Sequence, residues 1–514
     1  MFYDLMQSLQ EPLRLDQVGF YVADLRSYRQ FVAACPEIES GKYHVLKEWD
    51  IVSKAGTGQP NLERLRQYEE RLGDPTLHWP LVADRRVSLG RLSTLRQDYR
   101  PRFSYDRQLC ILEEGLVAFE HFFDAVRPDF VVSFICVTFG EYLAYLFARE
   151  RGVTFLDLRP TRIKNYVTFG ESIFEPSERI KAAYETYYAN EVEDEWTAEA
   201  RHYIGFVRTG HAKYEGVIPS GYLPTVSSSS KRSLVQKLLD ALREVYAYHF
   251  GGLKEDQHAP SWLTSKLYRR LLNPLRAWQV HRSLDSVYIR ADQLPGLDYA
   301  FFPLHTEPEV TLLVYSRSYL NQIEVARNLA QSLPVGMQLV VKEHPVSVGK
   351  RPVSYYRKLL AIPNVRLADP ALDSKTLIEP SQLVATIAGS IGLEALLRCK
   401  PVVTLGRTPF GYLPHSMTRY VTHLDNLAVE MKDLLANYAC DEWALVSYVA
   451  AVASNSVGVN LYSRLLGRQG VYAVGDDSTT GEAWQRDIQA LAQYTIDSLV
   501  ELGTQMPTAI LVRP

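Results

Sequence analysis

No Asp-x-Asp triplet occurs in the 514 residues, so nothing marks a metal-bound diphosphate. No GxxxxGKS/T loop occurs either, which removes the usual cradle for ATP hydrolysis. The five cysteines, Cys35, Cys110, Cys136, Cys399 and Cys440, are scattered, odd in number and never spaced as CxxC. That excludes a zinc or dithiol redox motif and reads as five reduced thiols. An excess of charge of one sign is also lacking, with 56 Lys and Arg against 59 Asp and Glu. The formal net charge is −3, so no overall field draws the chain to nucleic acid or to an anionic membrane, and any polyanion site must be local. Met1-Phe2-Tyr3-Asp4-Leu5 has an early acid and no basic n-region, which argues against a secretory leader and for the cytoplasm. The one long apolar stretch, Phe130 to Ala148, is split by Gly140-Glu141 into a strand-length and a helix-length piece, which argues against a membrane span.

What is present is ordinary globular material, 46% hydrophobic and 22% charged, long enough for about three units of ~150 residues. Gln17 to Val22 reads as an opening strand. Asp129 to Phe134 is a β-branched and aromatic run, followed by a helix over Glu141 to Glu150, closed by Gly152, and a strand over Val153 to Leu158. This is a βαβ unit and implies a parallel sheet. Between Arg201 and Arg282 helices alternate with polar linkers, including Ser227 to Arg232 and Gly251-Gly252. Within it, Trp262 to Arg282 carries Lys266, Arg269, Arg270, Arg276 and Arg282 with no acid, interleaved with leucines and aromatics. Such a segment either lies on an anionic membrane or is a solvated helix packed by its aromatic side. From Asp298 onward five strands alternate with helices: Tyr299 to Leu304, Met337 to Val341, Asn364 to Leu367, Leu383 to Ile387 and Pro401 to Leu405. That pattern predicts a second doubly wound sheet with its ligand at the carboxyl ends of the strands.

Three polar loops follow strands of this second sheet. Lys342-Glu343-His344-Pro345 offers an imidazole donor and a point charge to a phosphate, or is a structural turn. Ala388-Gly389-Ser390-Ile391-Gly392-Leu393-Glu394 lets backbone approach a ligand at a helix start, where Ser390 is a phosphate contact or an N-cap. Glu394 there either accepts ribose hydroxyls or complements the dipole. The GxGxxG pattern is incomplete, so a nucleotide is implied but not NAD. Leu304-His305-Thr306-Glu307-Pro308-Glu309 puts two carboxylates near the phosphate loops and makes Glu307 or Glu309 a candidate acid or base, the alternative being solvated loop acids.

Taken in order, Pro303-Leu304-His305, Pro308-Glu309, Lys342-Glu343-His344-Pro345, Gly389-Ser390, Glu394-Ala395 and Lys400-Pro401 resemble the capsule polysaccharide biosynthesis family, which includes retaining Kdo transferases. The resemblance covers mainly Tyr299 to Gly406. It implies a GT-B fold, an α/β architecture of two Rossmann-like doubly wound domains, here with a helical insertion and C-terminal helices. The implied division is an acceptor domain over 1–200, an insertion over 201–295, a nucleotide-sugar domain over 296–440 and helices over 441–514. It implies a metal-independent glycosyltransferase that needs no cofactor, with a nucleotide sugar, preferably CMP-Kdo, as donor. The acceptor is an oligosaccharide or glycolipid, a growing surface polysaccharide or its lipid-linked primer. No nucleic acid is involved, and peripheral contact with the inner membrane would run through 262–282. Roles at the nucleotide carry over to His344, Pro345 and Ser390. Lys342, Gly389 and Glu394 join them by position. A retaining double displacement needs a carboxylate nucleophile, for which Glu309, Glu307, Glu171 and Glu141 are candidates. Competing readings are a nucleotide-sugar epimerase of the same fold and a non-catalytic subunit of a polysaccharide-assembly complex.

Overall fold

The computed structural model describes residues 1–174, 177–210, 239, 242–243, 245–246, 261–461, 481–504 and 509–512. The Ser227 to Arg232 linker and the Gly251-Gly252 pair lie outside the described residues. Along the chain the strands are β1 (Gln17–Val22), β2 (His44–Lys47), β3 (Phe130–Phe134), β4 (Thr154–Pro160), β5 (Tyr166–Gly170), β6 (Tyr288–Ile289) and β7 (Tyr299–Pro303). There follow β8 (Gln338–Lys342), β9 (Val365–Ala368), β10 (Leu383–Thr386), β11 (Val402–Thr404), β12 (Thr418–Tyr420), β13 (Val457–Gly458) and β14 (Ala509–Val512).

They form two seven-stranded sheets, β13-β5-β4-β3-β14-β1-β2 and β12-β11-β10-β7-β8-β9-β6. The second is parallel throughout. Its central strands read as continuous apolar runs, such as Leu339-Val340-Val341, because helices cover both faces. Two edge strands, β6 and β12, were not expected. Each is three residues or shorter, too little for periodicity to register. From β7 the chain winds outward through β8 and β9, then returns to the other side of β7 through β10. Strand order therefore reverses between β7 and β10, and an α/β sheet opens a crevice at the carboxyl ends of such a pair.

The first sheet is parallel except where β5 pairs with β4 and β13. The helix expected over Glu141 to Glu150 is present as Phe139–Glu150, and Thr138 and Glu141 form a capping box at its start. Among the described residues no helix is long and apolar enough to cross a membrane.

The linear division of the chain requires correction at three places. Helices Glu178–Asn190 and Glu195–Arg208 bury Ile180, Tyr184, Tyr203 and Val207 with Phe301, Val384 and Leu393, so they pack on the second sheet although they precede it. The second helix also runs across the expected boundary at 200. The tail 441–514 is not a set of helices alone, since β14 lies between β3 and β1 at the middle of the first sheet. Burial on both faces selects Ile510, Leu511 and Val512 for that slot, whereas a four-residue strand leaves no signature of which sheet it joins. The expectation of five reduced thiols also fails. Cys399 and Cys440 form a disulfide across 41 residues, with Cα atoms 5.4 Å apart, while Cys35, Cys110 and Cys136 are free. Sequence spacing carries no information on such a long-range pair.

Candidate functional site

A cavity of about 650 Å³ opens at the reversal between β7 and β10, walled on its far side by the ends of β3 to β5 of the first sheet. The loop after β7 contributes His305, Thr306 and Glu309, and the loop after β8 contributes Lys342, His344 and Pro345. The loop after β10 contributes Gly389, Ser390 and Glu394. The three sequence-predicted loops thus meet in one place.

His344 accepts a hydrogen bond on Nδ1 from the Val346 amide at 3.3 Å, which assigns the ring proton of the neutral tautomer to Nε2. Burial pulls its pKa below the usual histidine value against the opposing charges of Glu343 and Glu309, with a smaller lowering contribution from Lys342 and Lys350. The free site thus presents a neutral imidazole donor. Burial also lowers the pKa of Lys342, against the pull of Glu343, Asp373 and Asp369. Ser390 sits at the start of the seven-residue helix Ile391–Leu397 and makes no side-chain cap bond, so the plain N-cap alternative is not realised. Gly389 lies over His305, and its amide donates to Thr386 Oγ1 at 3.1 Å. A Cβ there would meet Thr386 Oγ1 at 2.9 Å and His305 Cε1 at 3.0 Å. Gly389→Ala is therefore expected to weaken nucleotide binding about tenfold by shifting that wall. Calorimetry checks this, and unchanged affinity would remove the loop from the site. His305 Nε2 is buried without a hydrogen-bond partner beside Gly389, which a ligand oxygen would satisfy.

The acids divide sharply. Glu309 lines the cavity, and its side chain is 41% exposed. Burial among protein atoms tends to raise its pKa, yet the bond to His305 and the charges of His305, Arg162 and His344 carry it below the usual carboxylate value. It is an ionised carboxylate facing the cleft. Glu307 is not among the lining residues. It is bound by Arg351 Nη2 at 3.0 Å and receives hydrogen bonds from Gln322 and Tyr99, so the expectation that it acts at the cleft is corrected. Glu141 is spent on the amides of Val137 and Thr138, at 2.7 and 2.9 Å, and Glu171 does not line the cavity. Glu394 does line it, receiving Ser374 Oγ at 3.3 and 3.2 Å.

Two features escaped sequence reading. Arg159, Arg162 and Arg407 bring positive charge to the cleft from the ends of β4 and β11. The strand-end rule that found the other loops also applies to these positions. Arg351 is the hub of the site's support. Its Nη1 bonds both oxygens of Glu343 at 2.6 Å, and its Nη2 bonds the His305 carbonyl at 2.7 Å. Glu343 also accepts from Tyr356 at 2.8 Å and from the His344 amide at 2.7 Å. One buried guanidinium thus ties the loop after β7 to the loop after β8.

Two doubly wound sheets around a polar cleft at a strand-order reversal define a protein of GT-B architecture. Residues 315–413 match the family described as capsule polysaccharide biosynthesis protein, and that segment holds the loops after β8, β10 and β11. Protein FixF of Sinorhizobium fredii is 31% identical over 131 residues, which are 24% of this chain and 30% of that protein. The match therefore spans under a third of that relative's length. KpsC of Thermosulfurimonas dismutans, described as a beta Kdo 2,4 transferase, aligns over 66% of this chain and 82% of its own at 13% identity and a TM-score of 0.34. A UDP-GlcNAc 2-epimerase from Neisseria meningitidis aligns over 88% and 100% at 12% identity and a TM-score of 0.28.

Proposed function

We propose that the protein is a glycosyltransferase of capsule or related surface-polysaccharide synthesis that takes a nucleotide sugar, preferably CMP-Kdo. The observation that carries this reading is the convergence of Lys342, His344 and Ser390 opposite the ionised Glu309 at the switch-point cleft. The nucleotide phosphate lies against Lys342, His344 and Ser390, with no metal required, and Gly389 and Pro345 shape its bed. Arg159, Arg162 and Arg407 suit an acidic sugar.

In a retaining double displacement the Glu309 carboxylate attacks the anomeric carbon and the bond to the phosphate oxygen breaks, the electron pair leaving with the nucleotide. The acceptor hydroxyl then attacks the anomeric carbon, the bond to Glu309 breaks with its electron pair returning to the carboxylate, and the hydroxyl proton passes to the phosphate of the departing nucleotide. The acceptor is a growing polysaccharide or its lipid-linked primer at the inner membrane. Incubation with CMP-Kdo tests the reading. CMP release that requires an oligosaccharide acceptor and persists in chelator supports it. Turnover without acceptor, giving a free or epimerised sugar, replaces it with the epimerase reading, and absence of any nucleotide binding replaces it with the non-catalytic subunit.

A pH signature follows from His344. Its lowered pKa leaves it neutral in the free protein, and a bound phosphate stabilises the imidazolium and raises the value. CMP binding is therefore expected to take up a proton between the two values. The affinity ratio of wild type to His344→Ala should grow as pH falls through the bound-state value toward the lower free-state value. Calorimetry across that range checks it, and a constant ratio would remove His344 from the phosphate.

A further inference from the structure

Residues 261–284 form a nearly continuous helical segment, helix Trp262–Leu267, a π turn Tyr268–Leu272 and helix Asn273–Leu284. One side is seated on the protein. Val280 and Leu284 are buried, and Gly349, at φ +87°, lets the Asn273 carbonyl approach to where a Cβ would lie only 2.7 Å away. Leu263, Leu267, Leu271, Leu275 and Trp278 are 69%, 45%, 50%, 52% and 63% exposed, so this second apolar set is not the side by which the helix packs. Their spacings of four, four, four and three residues make a row along the segment. Lys266, Arg269, Arg270, Arg276 and Arg282 accompany the row, and no acid occurs between 261 and 284.

Beside the first turn lies a cavity of about 530 Å³, lined by Arg91, Arg96, Arg100 and Arg102 with Asp98 as its single acid. Arg96 Nε is buried without a hydrogen-bond partner, and its guanidinium stands 6.0 Å from the Tyr268 ring. An exposed apolar row with basic side chains along the same segment, beside an arginine pocket that Ser261 and Thr264 also line, matches the chemistry of a bilayer interface, acyl chains and then phosphate.

We propose that this face docks on an anionic phospholipid bilayer, with the leucine row and Trp278 entering the interface and the arginine cavity taking a lipid phosphate. The arginine loop is also tied to the cleft. Gln97 N donates to the Lys350 carbonyl at 3.0 Å, and Tyr99 bonds Glu307, the neighbour of cavity-lining Thr306. Docking thus brings the cleft's edge to the membrane surface. The inference does not depend on which reaction the cleft performs.

The test is sedimentation of the full chain with vesicles of phosphatidylcholine alone or of phosphatidylcholine with phosphatidylglycerol. Binding is expected only to the second, with steep loss at high salt. Leu263→Gln/Leu267→Gln/Trp278→Gln should reduce partitioning by roughly tenfold or more, and Arg269→Gln/Arg270→Gln by roughly fivefold per charge. These positions are exposed, so circular dichroism should stay unchanged. Failure to bind either vesicle overturns the proposal. So does a leucine variant that binds as wild type while a soluble anionic polysaccharide competes, which would make the face a polyanion site instead.

Discussion

Arg351→Met is expected to lower the unfolding free energy by about 3–5 kcal/mol, because it strands two buried carboxylates. The Glu343 and Glu307 side chains are 3% and 8% exposed, and both lose their cation, while the His305 carbonyl loses its donor. Removing one member of a buried pair costs more than the pair contributes, since the remaining charge keeps its desolvation penalty. Urea unfolding measures the loss as a shift in midpoint at constant slope. Arg351→Lys should fall between, keeping the charge but not the fork that reaches Glu343 and the carbonyl together. A loss below about 1 kcal/mol would show that the cluster is hydrated rather than buried.

The second large effect separates two carboxylates two residues apart. Glu309→Gln should reduce kcat by about 10²- to 10⁴-fold, the range for a positioned acid, base or nucleophile, with CMP affinity within about threefold. Glu307→Gln should leave kcat near wild type and cost about 1–3 kcal/mol of stability, since it weakens the Arg351 and Tyr99 contacts. Both are read in the CMP-release assay and in urea. The reverse pattern would move the chemistry to Glu307 and contradict the cleft assignment. Glu309 also carries a linkage with a definite sign. Its folded pKa is depressed, so the stability it contributes is present above its unfolded value near 4.3 and is lost as pH falls through the folded value.

Sequence pattern reached the second sheet because its central strands are apolar on both faces and are punctuated by helices. The three loops are legible for the same reason: polar residues at strand ends are not required by packing, so Lys342, His344, Ser390 and the pair Glu307 and Glu309 stand out against their surroundings. Pattern failed where placement depends on distant partners. Glu307 and Glu309 look alike in the sequence, and only Arg351, 44 residues beyond Glu307, separates a buried support from a cleft-facing carboxylate. Strand β14 and the Cys399–Cys440 disulfide are likewise long-range choices, made by packing rather than by local spacing.

Calorimetry of CMP, UDP and GDP against wild type, His344→Ala and Ser390→Ala, without added metal, tests the central claim most directly. The account predicts binding selective for CMP that both substitutions weaken by roughly tenfold or more. CMP binding unaffected by both substitutions, or no nucleotide binding by the wild type, would contradict it.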